Sequence, residues 1–439
     1  MNYLKRKIDD ELLRWKHREH RKVILLRGAR QVGKSSAVRQ LGKSFEHFVE
    51  INLEKQPHLK AIFEHDSVVE RIIKELSFEL KTPITPHNTL LFIDEIQECI
   101  PAISALRYFY EDMPELHVIA AGSLFGFALE KLPSFGVGRI RSLFMYPFSY
   151  DEFMHAMGFT DEYKEYSPEK PLPETMHNQC KRLLIEFMLI GGMPEVVAKY
   201  VESGSLLECQ EVLEDITSTF YIDFAKYKQR ANVSLLQEVF GAVIDQTGGK
   251  FTYSKASKTA NHLQIKECVE LLEKAGLIYP VTHTPANGLP LSAGQNRKFC
   301  KFLIFDTGMY QRFLKLNLGG SFNPESIEQI NKGAFAELLA GLEIIKASPV
   351  NFPLSLHWWQ REKAGSNAEV DYVVQQGDNI VPVEVKANTK GSMQSMFQFL
   401  KEKGYPYGIR CSMENFGAYG NVRVYPLYAI SQIVENKTK

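Results

Sequence analysis

The chain of 439 residues carries no formal net charge, with Lys+Arg and Asp+Glu numbering 52 each. That excludes a globally basic coat for nucleic acid, although it leaves room for a local basic patch. A membrane-spanning run is also missing. The longest apolar stretch, around Leu116 to Leu129, is interrupted by His117 and Ser123 and is too short to cross a bilayer. The first residues, MNYLKRKIDDELLRWKHREHRK, are charged throughout and lack the apolar core of a signal peptide. The 6 cysteines lie far apart with no CxxC pair. This excludes a zinc knuckle and a disulfide framework and fits a reducing cytosol. There is no internal repeat and no low-complexity tract. What is present is ordinary: 44% hydrophobic and 24% charged residues, as in soluble globular proteins. At about 150 residues per domain, roughly three domains are expected. The expectation is a soluble, cytoplasmic, multidomain protein without a membrane partner.

The first third alternates between short apolar runs and helical patterns. KVILLR (Lys22–Arg27), HFVEIN (His47–Asn52), TLLFIDE (Thr89–Glu95), LHVIAA (Leu116–Ala121) and RSLFMY (Arg141–Tyr146) read as strands. Helices are predicted at 34–41, 67–80 and 103–110. Such alternation implies a parallel sheet with helices on both faces, hence an α/β class. The proline-bearing, charged stretch Thr160–Asn178 reads as a linker or exposed insertion. A helix at 181–190 stops at Gly191-Gly192. Residues from about Ser234 to Thr284 read as helix, turn, short helix, amphipathic helix and strand, which resembles a winged helix-turn-helix. The tail returns to strands near LHWWQR, AEVDYVV and IVPVEVK, with Glu337 on a preceding helix. The expected boundaries are 1–160, 161–230, 231–310 and 311–439.

Gly28-Ala29-Arg30-Gln31-Val32-Gly33-Lys34-Ser35 matches GxxxxGK[ST] and sits between a predicted strand and helix. The glycines let backbone N–H groups turn toward phosphate oxygens, and the helix N-terminus, with Ser36 in its first turn, adds its dipole. Lys34 would neutralise the β- and γ-phosphates of ATP, and Ser35 would bind Mg²⁺. In LLFIDE, a buried strand delivers Asp94 to the mouth of the sheet, where its carboxylate would hold the same ion. Glu95 would orient or deprotonate the attacking water. Ser123, at the end of a further strand, would sense the γ-phosphate; the competing reading is a plain strand-to-turn transition. Arg139 would stabilise transition-state charge, in cis or from a neighbouring subunit, with Arg141 the competing arginine.

With these motifs in place, LLRGARQVGKS, LLFIDEIQE, AAGS and GRIRSLFMYPFSYDEF resemble the prokaryotic AAA-superfamily ATPases. They are most similar to the group with an uncharacterised C-terminal region. GGMPEVV, YIDFAKY, FDTGM and GAFAELL match later landmarks of that group in order. The resemblance implies an AAA-type core sheet, an Mg-ATP site at Lys34, Ser35, Asp94 and Glu95, and a following winged-helix region.

Strand parity organises the tail. Glu369 and Asp371 share one face of their strand, and Glu384 and Lys386 share one face of theirs. If the strands are neighbours, Asp371, Glu384 and Lys386 converge, and Glu337 joins them. This resembles the D…ExK core of restriction-endonuclease-like nucleases, PD-(D/E)xK, with Val370 where the usual proline would stand. The resemblance implies Mg²⁺ on Glu337, Asp371 and Glu384, with Lys386 stabilising charge at a scissile phosphate. The alternative is an amphipathic hairpin with a solvated charged face. In the winged-helix region Lys250, Lys255 and Lys258 would meet phosphates, but Glu267, Glu270 and Glu273 make a poor face for a major groove. The leading expectation is an Mg-dependent ATPase coupled to a nuclease-like domain directed at double-stranded DNA. Its rival is an ATP-driven switch or scaffold acting on a protein partner, with a catalytically inactive tail. Either would be compatible with a homo-oligomer.

Overall fold

Runs of Val, Ile, Leu and Phe in the N-terminal third form strands because both of their faces find apolar cover. These are β1 (Val23–Arg27), β2 (His47–Asn52), β3 (Thr89–Asp94), β4 (His117–Gly122) and β5 (Ile140–Phe144). They make one 5-stranded sheet in the order β2-β3-β4-β1-β5, with every neighbouring pair parallel. A computed structural model describes residues 3–122, 138–227, 231–316, 332–363, 367–387 and 392–434.

The intervening helices are α1 (Lys7–Lys16), α2 (Lys34–Gly42), α3 (Lys60–His65), α4 (Val69–Glu79) and α5 (Ile100–Asp112). Val23, Leu25, Leu91, Ile93, Val118 and Ala120 pack in one core with Ile72 and Leu76 of α4 and Ile103 and Leu106 of α5. Their alternates Ile24, Leu26, Leu90, Phe92 and Ile119 are equally buried, and α2 packs against β2, β3 and β4. The expected parallel α/β sheet is therefore present. The unit comprises Met1–Tyr146 together with Lys274–Gly276 and Val350–Phe352.

The second unit holds the rest of the chain. It contains α6 (Tyr150–Ala156), α7 (Glu174–Ile190), α8 (Pro194–Ser203), α9 (Leu206–Asp223), α10 (Val233–Asp245), α11 (Tyr253–Ala256), most of α12 (His262–Lys274), α13 (Thr307–Phe313), α14 (Lys332–Ala347) and α15 (Gln394–Lys403). Its strands are β6 (Ile278–His283), β7 (Asn296–Ile304), β8 (Leu356–Gln360), β9 (Glu369–Gln376), β10 (Asn379–Val385), β11 (Gly408–Ser412), β12 (Gly417–Tyr419) and β13 (Val422–Pro426). All eight join one mixed sheet, β12-β13-β11-β10-β9-β8-β6-β7. The β6–β7 hairpin that follows the three helices α10–α12 is thus continuous with the C-terminal strands, through the parallel pairing of β6 with β8.

The stretch expected as a linker or exposed insertion, 160–178, is largely exposed and is tied down at a few positions. Tyr163 and Leu172 are buried, and the Asn415 amide brackets Leu172, accepting from its N–H at 3.2 Å and donating to its carbonyl at 2.8 Å. Its prolines and charges describe a surface segment pinned by a few apolar anchors. Two landmarks of the tail also meet: Asp306, fully buried, accepts hydrogen bonds from the N–H of Gly192 at 2.6 Å and of Met309 at 3.0 Å. GGMPEVV and FDTGM therefore form one structural joint, with Asp306 capping α13. No helix among the described residues is long and apolar enough to cross a membrane.

Candidate functional site

The carboxyl ends of β1 and β4 lie level, Arg27 beside Gly122, and β3 ends next to β4, with Ile93 beside Ala120. Parallel sheets bind ligands at this edge. Here β1 runs into the loop 28–33. Gly28 has φ +151°, and a Cβ there would lie 2.1 Å from the Met145 carbonyl oxygen, so no side chain fits. Gln31 at φ +61° and Gly33 at φ +95° are left-handed, and Gly33 caps α2. Left-handed turns of this kind line up backbone N–H groups into an anion cradle, and α2 adds its dipole. Ala29 and Val32 are buried, Arg30 is half-buried, and Gln31 and Ser36 are exposed. The loop is braced from behind by Arg6, whose guanidinium donates to the carbonyls of Val32 at 3.0 Å and Tyr146 at 2.7 Å.

Lys34 is buried, with its ammonium donating to the carbonyls of Gly28 at 3.0 Å and Ala29 at 2.7 Å. Burial pulls its pKa down to about 8, against the opposing pull of Glu95 and Asp94. The Ser35 hydroxyl donates to Asp94 Oδ2 at 2.9 Å, and the Asn52 amide lies 3.4 Å from the same oxygen. Burial raises the Asp94 carboxyl, partly offset by the Ser35 bond. A hydroxyl and a carboxylate oxygen placed together suit a hard divalent cation, so the expected Mg²⁺ ligands fit. Glu95 follows in a left-handed conformation, φ +49°, and its Oε2 accepts from Gln97 Nε2 at 2.5 Å. The Gln97 amide lies against Gly122, where a Cβ would stand 2.2 Å from its Oε1.

Lys34, Ser35, Asp94 and Glu95 thus come together. Arg139 ion-pairs with Glu111 at 2.9 Å, and Arg141 with Glu11 at 2.6 Å. Ser123 lies outside the described residues. Arg6, Asn52 and Gln97 were not singled out from sequence. A lone arginine, asparagine or glutamine has no signature until the fold shows what it touches.

In the C-terminal sheet β9 and β10 are antiparallel, Val383 opposite Tyr372, which sets Glu384 opposite Asp371 one step further on. Asp371 Oδ2 accepts from the Val385 N–H at 2.7 Å, and Lys386 Nζ donates to Glu384 Oε1 at 2.6 Å. Asp371, Glu384 and Lys386 therefore converge. Burial raises both carboxyls, and Asp371 pushes Glu384 up further. Glu337, expected as a third metal ligand, pairs with Lys301 at 2.8 Å. Among the described residues no three His, Cys, Asp or Glu side chains are grouped to hold a metal ion. Lys301 sits on β7, whose sequence NRKFCKFLI lacks a clear alternation. Lys255 and Lys258 are exposed, whereas Lys250 lies 3.6 Å over the Phe299 ring.

Residues 20–154 match the family described as an AAA domain. The parallel sheet and its loop fit a P-loop ATPase domain. Further along the chain, residues 181–319 and 332–430 match two domains of unknown function, DUF8612 and DUF4143. An uncharacterised protein of Haemophilus influenzae is 23% identical over 403 residues, covering 88% of this chain and 85% of that protein. Among solved structures, the Walker-type ATPase PABY2304 of Pyrococcus abyssi has a TM-score of 0.47 at 15% identity, covering 72% of this chain and 96% of that one. The ORC1 protein of Aeropyrum pernix in complex with DNA has a TM-score of 0.31 at 11% identity, covering 70% and 92%. Both scores are too low to establish a common fold.

Proposed function

We propose that the protein is an Mg-dependent ATP hydrolase coupled to a nuclease-like, DNA-directed C-terminal region. The observation that carries the reading is the Ser35–Asp94 contact of 2.9 Å beside Lys34 and Glu95, at the end of a parallel sheet. Mg²⁺, when bound, neutralises charge between the β- and γ-phosphates. Lys34 exchanges the carbonyls of Gly28 and Ala29 for phosphate oxygens, a favourable trade for a desolvated ammonium. Ser35 and Asp94 hold the ion. Glu95 orients and deprotonates the attacking water. Arg139 must leave Glu111 to reach a phosphate, in its own subunit or a neighbour's. The Asp371–Glu384–Lys386 constellation supports the nuclease-like reading of the tail, and the order α10, α11, α12, β6, β7 supports a winged helix. Lys255 and Lys258 would serve as its phosphate contacts.

The deciding experiment is steady-state ATP turnover with Mg²⁺, with and without double-stranded DNA at low salt, where phosphate contacts are strongest. Stimulation by DNA is expected; turnover indifferent to DNA overturns the DNA-directed part. Retained turnover in Lys34→Ala overturns the site.

A second reading has its own support. α12 presents exposed Glu267, Glu270 and Glu273, and the net charge is zero. An ATP-driven switch acting on a protein partner fits that surface. It predicts ATP-dependent assembly in the absence of DNA.

A further inference from the structure

Lys301 is 1% exposed, and carboxylates face its ammonium from two elements. Its Nζ lies 2.8 Å from Glu337 Oε1, 2.5 Å from Glu369 Oε1 and 5.0 Å over the Trp358 ring. β7, α14 and β9 thus bring a buried cation together with the buried Glu337 and the half-buried Glu369. Moving the ammonium away would strand the buried Glu337 carboxylate.

The neighbouring pair differs. Glu384 Oε1 is tied to Lys386, but Glu384 Oε2 is buried and has no hydrogen-bond partner among the described residues. Glu384 as a whole is 6% exposed. Asp371 faces it and has one oxygen engaged by the Val385 N–H. A buried, unpartnered carboxylate oxygen beside a second carboxylate is a ligand pair for a hard cation that keeps most of its waters.

Charge bookkeeping joins the two halves. Glu337, Glu369, Asp371 and Glu384 bring four negative charges when ionised, and Lys301 and Lys386 return two. One divalent ion closes the balance; two overshoot it. Two-metal sites place their ions about 3.5–4 Å apart. Here Glu337 and Glu369, the further carboxylates of the cluster, already pair with Lys301.

We infer that Lys301 is the built-in second cation of the C-terminal site, so that Asp371 and Glu384 take one divalent ion and Glu337 takes none. The inference rests on the nuclease-like reading of that site and names a residue that the D…ExK pattern does not contain. In this arrangement Lys301 is a positioning residue: it sets the charge and spacing that the single ion meets.

The test counts metal ions instead of activity. Mn²⁺ is titrated into the full chain carrying Asp94→Asn, without nucleotide, and followed by electron paramagnetic resonance and calorimetry. One Mn²⁺ per chain is expected, lost in Glu384→Gln and little changed in Glu337→Gln. Lys301→Met is expected to admit a second ion. If that variant does not fold, the Glu337→Gln comparison still decides, since removing a true ligand would weaken binding by about tenfold or more. Two ions in the parent, or one that weakens in that way with Glu337→Gln, overturns the role of Lys301 and leaves the nuclease-like reading standing. Absence of any ion sensitive to Glu384→Gln overturns both.

Discussion

Glu95 illustrates how a single side chain is aimed. It sits in a left-handed conformation that a glutamate adopts only under constraint, and Gln97 holds its carboxylate at 2.5 Å. Glu95→Gln is expected to keep ATP binding while kcat falls by about 10²- to 10⁴-fold, the usual worth of a general base. Bound nucleotide measured beside turnover checks this. Gln97→Ala should lower kcat and leave KM unaltered if Glu95 is the proposed base, because Gln97 holds the Glu95 carboxylate. A rise in KM alone would mean that Gln97 serves the loop. Lys34→Ala should abolish nucleotide binding, read by equilibrium titration with a fluorescent nucleotide.

Strand β4 carries a different liability. His117 opens it, buried between the rings of Trp15 and Phe45 at 5.5 and 4.7 Å, with one ring nitrogen 3.1 Å from the Lys16 carbonyl. Burial pulls its pKa from 6.5 down to about 4. Above pH 6.5 neither the folded nor the unfolded chain protonates it, so it has no effect on stability. As pH falls below 6.5 the unfolded chain takes up a proton that the folded chain refuses until about pH 4, so stability drops across that window. The loss is on the order of 3 kcal/mol by pH 4. Urea unfolding at a series of pH values should show it, and His117→Gln should flatten the slope. β7 carries its own test: Lys301→Met removes one partner of a buried ion pair and should cost about 3–5 kcal/mol, whereas rim pairs such as Lys266–Glu270 should contribute under about 1 kcal/mol.

At the scale of the whole chain, the proposed nucleotide residues Lys34, Ser35, Asp94 and Glu95 all belong to the parallel-sheet unit. Mg-ATP at about 100 times its Kd should stabilise the parallel-sheet unit by about 2.7 kcal/mol. Amide hydrogen exchange should slow in β1, β3 and the start of α2, and Lys34→Ala should erase the effect. Protection that spreads to β9 and β10 would reveal coupling between the ATPase domain and the carboxylate site.

The parts that could be read without the fold are those in which neighbouring residues do the work. VILLRGARQVGKS contains its own strand, turn and helix, and LLFIDE ends a buried strand in two acids, so the parallel sheet and the nucleotide loop follow from local order. Parity placed Glu369 with Asp371, and Glu384 with Lys386, because alternation is a property of one strand. In the surface segment at 160–178, Tyr163 and Leu172 are buried anchors among many polar residues, and no local pattern marks them. Folding alone decided which distant groups meet. Arg6 reaches Val32, Asn52 reaches Asp94, and Lys301 reaches Glu337 across 36 residues. Each of these contacts joins separate elements, and whether they touch depends on strand order and packing summed over the unit. No short stretch of sequence encodes that sum, which is why the loop and acids of the ATPase site were visible early and the cation of the C-terminal site was not.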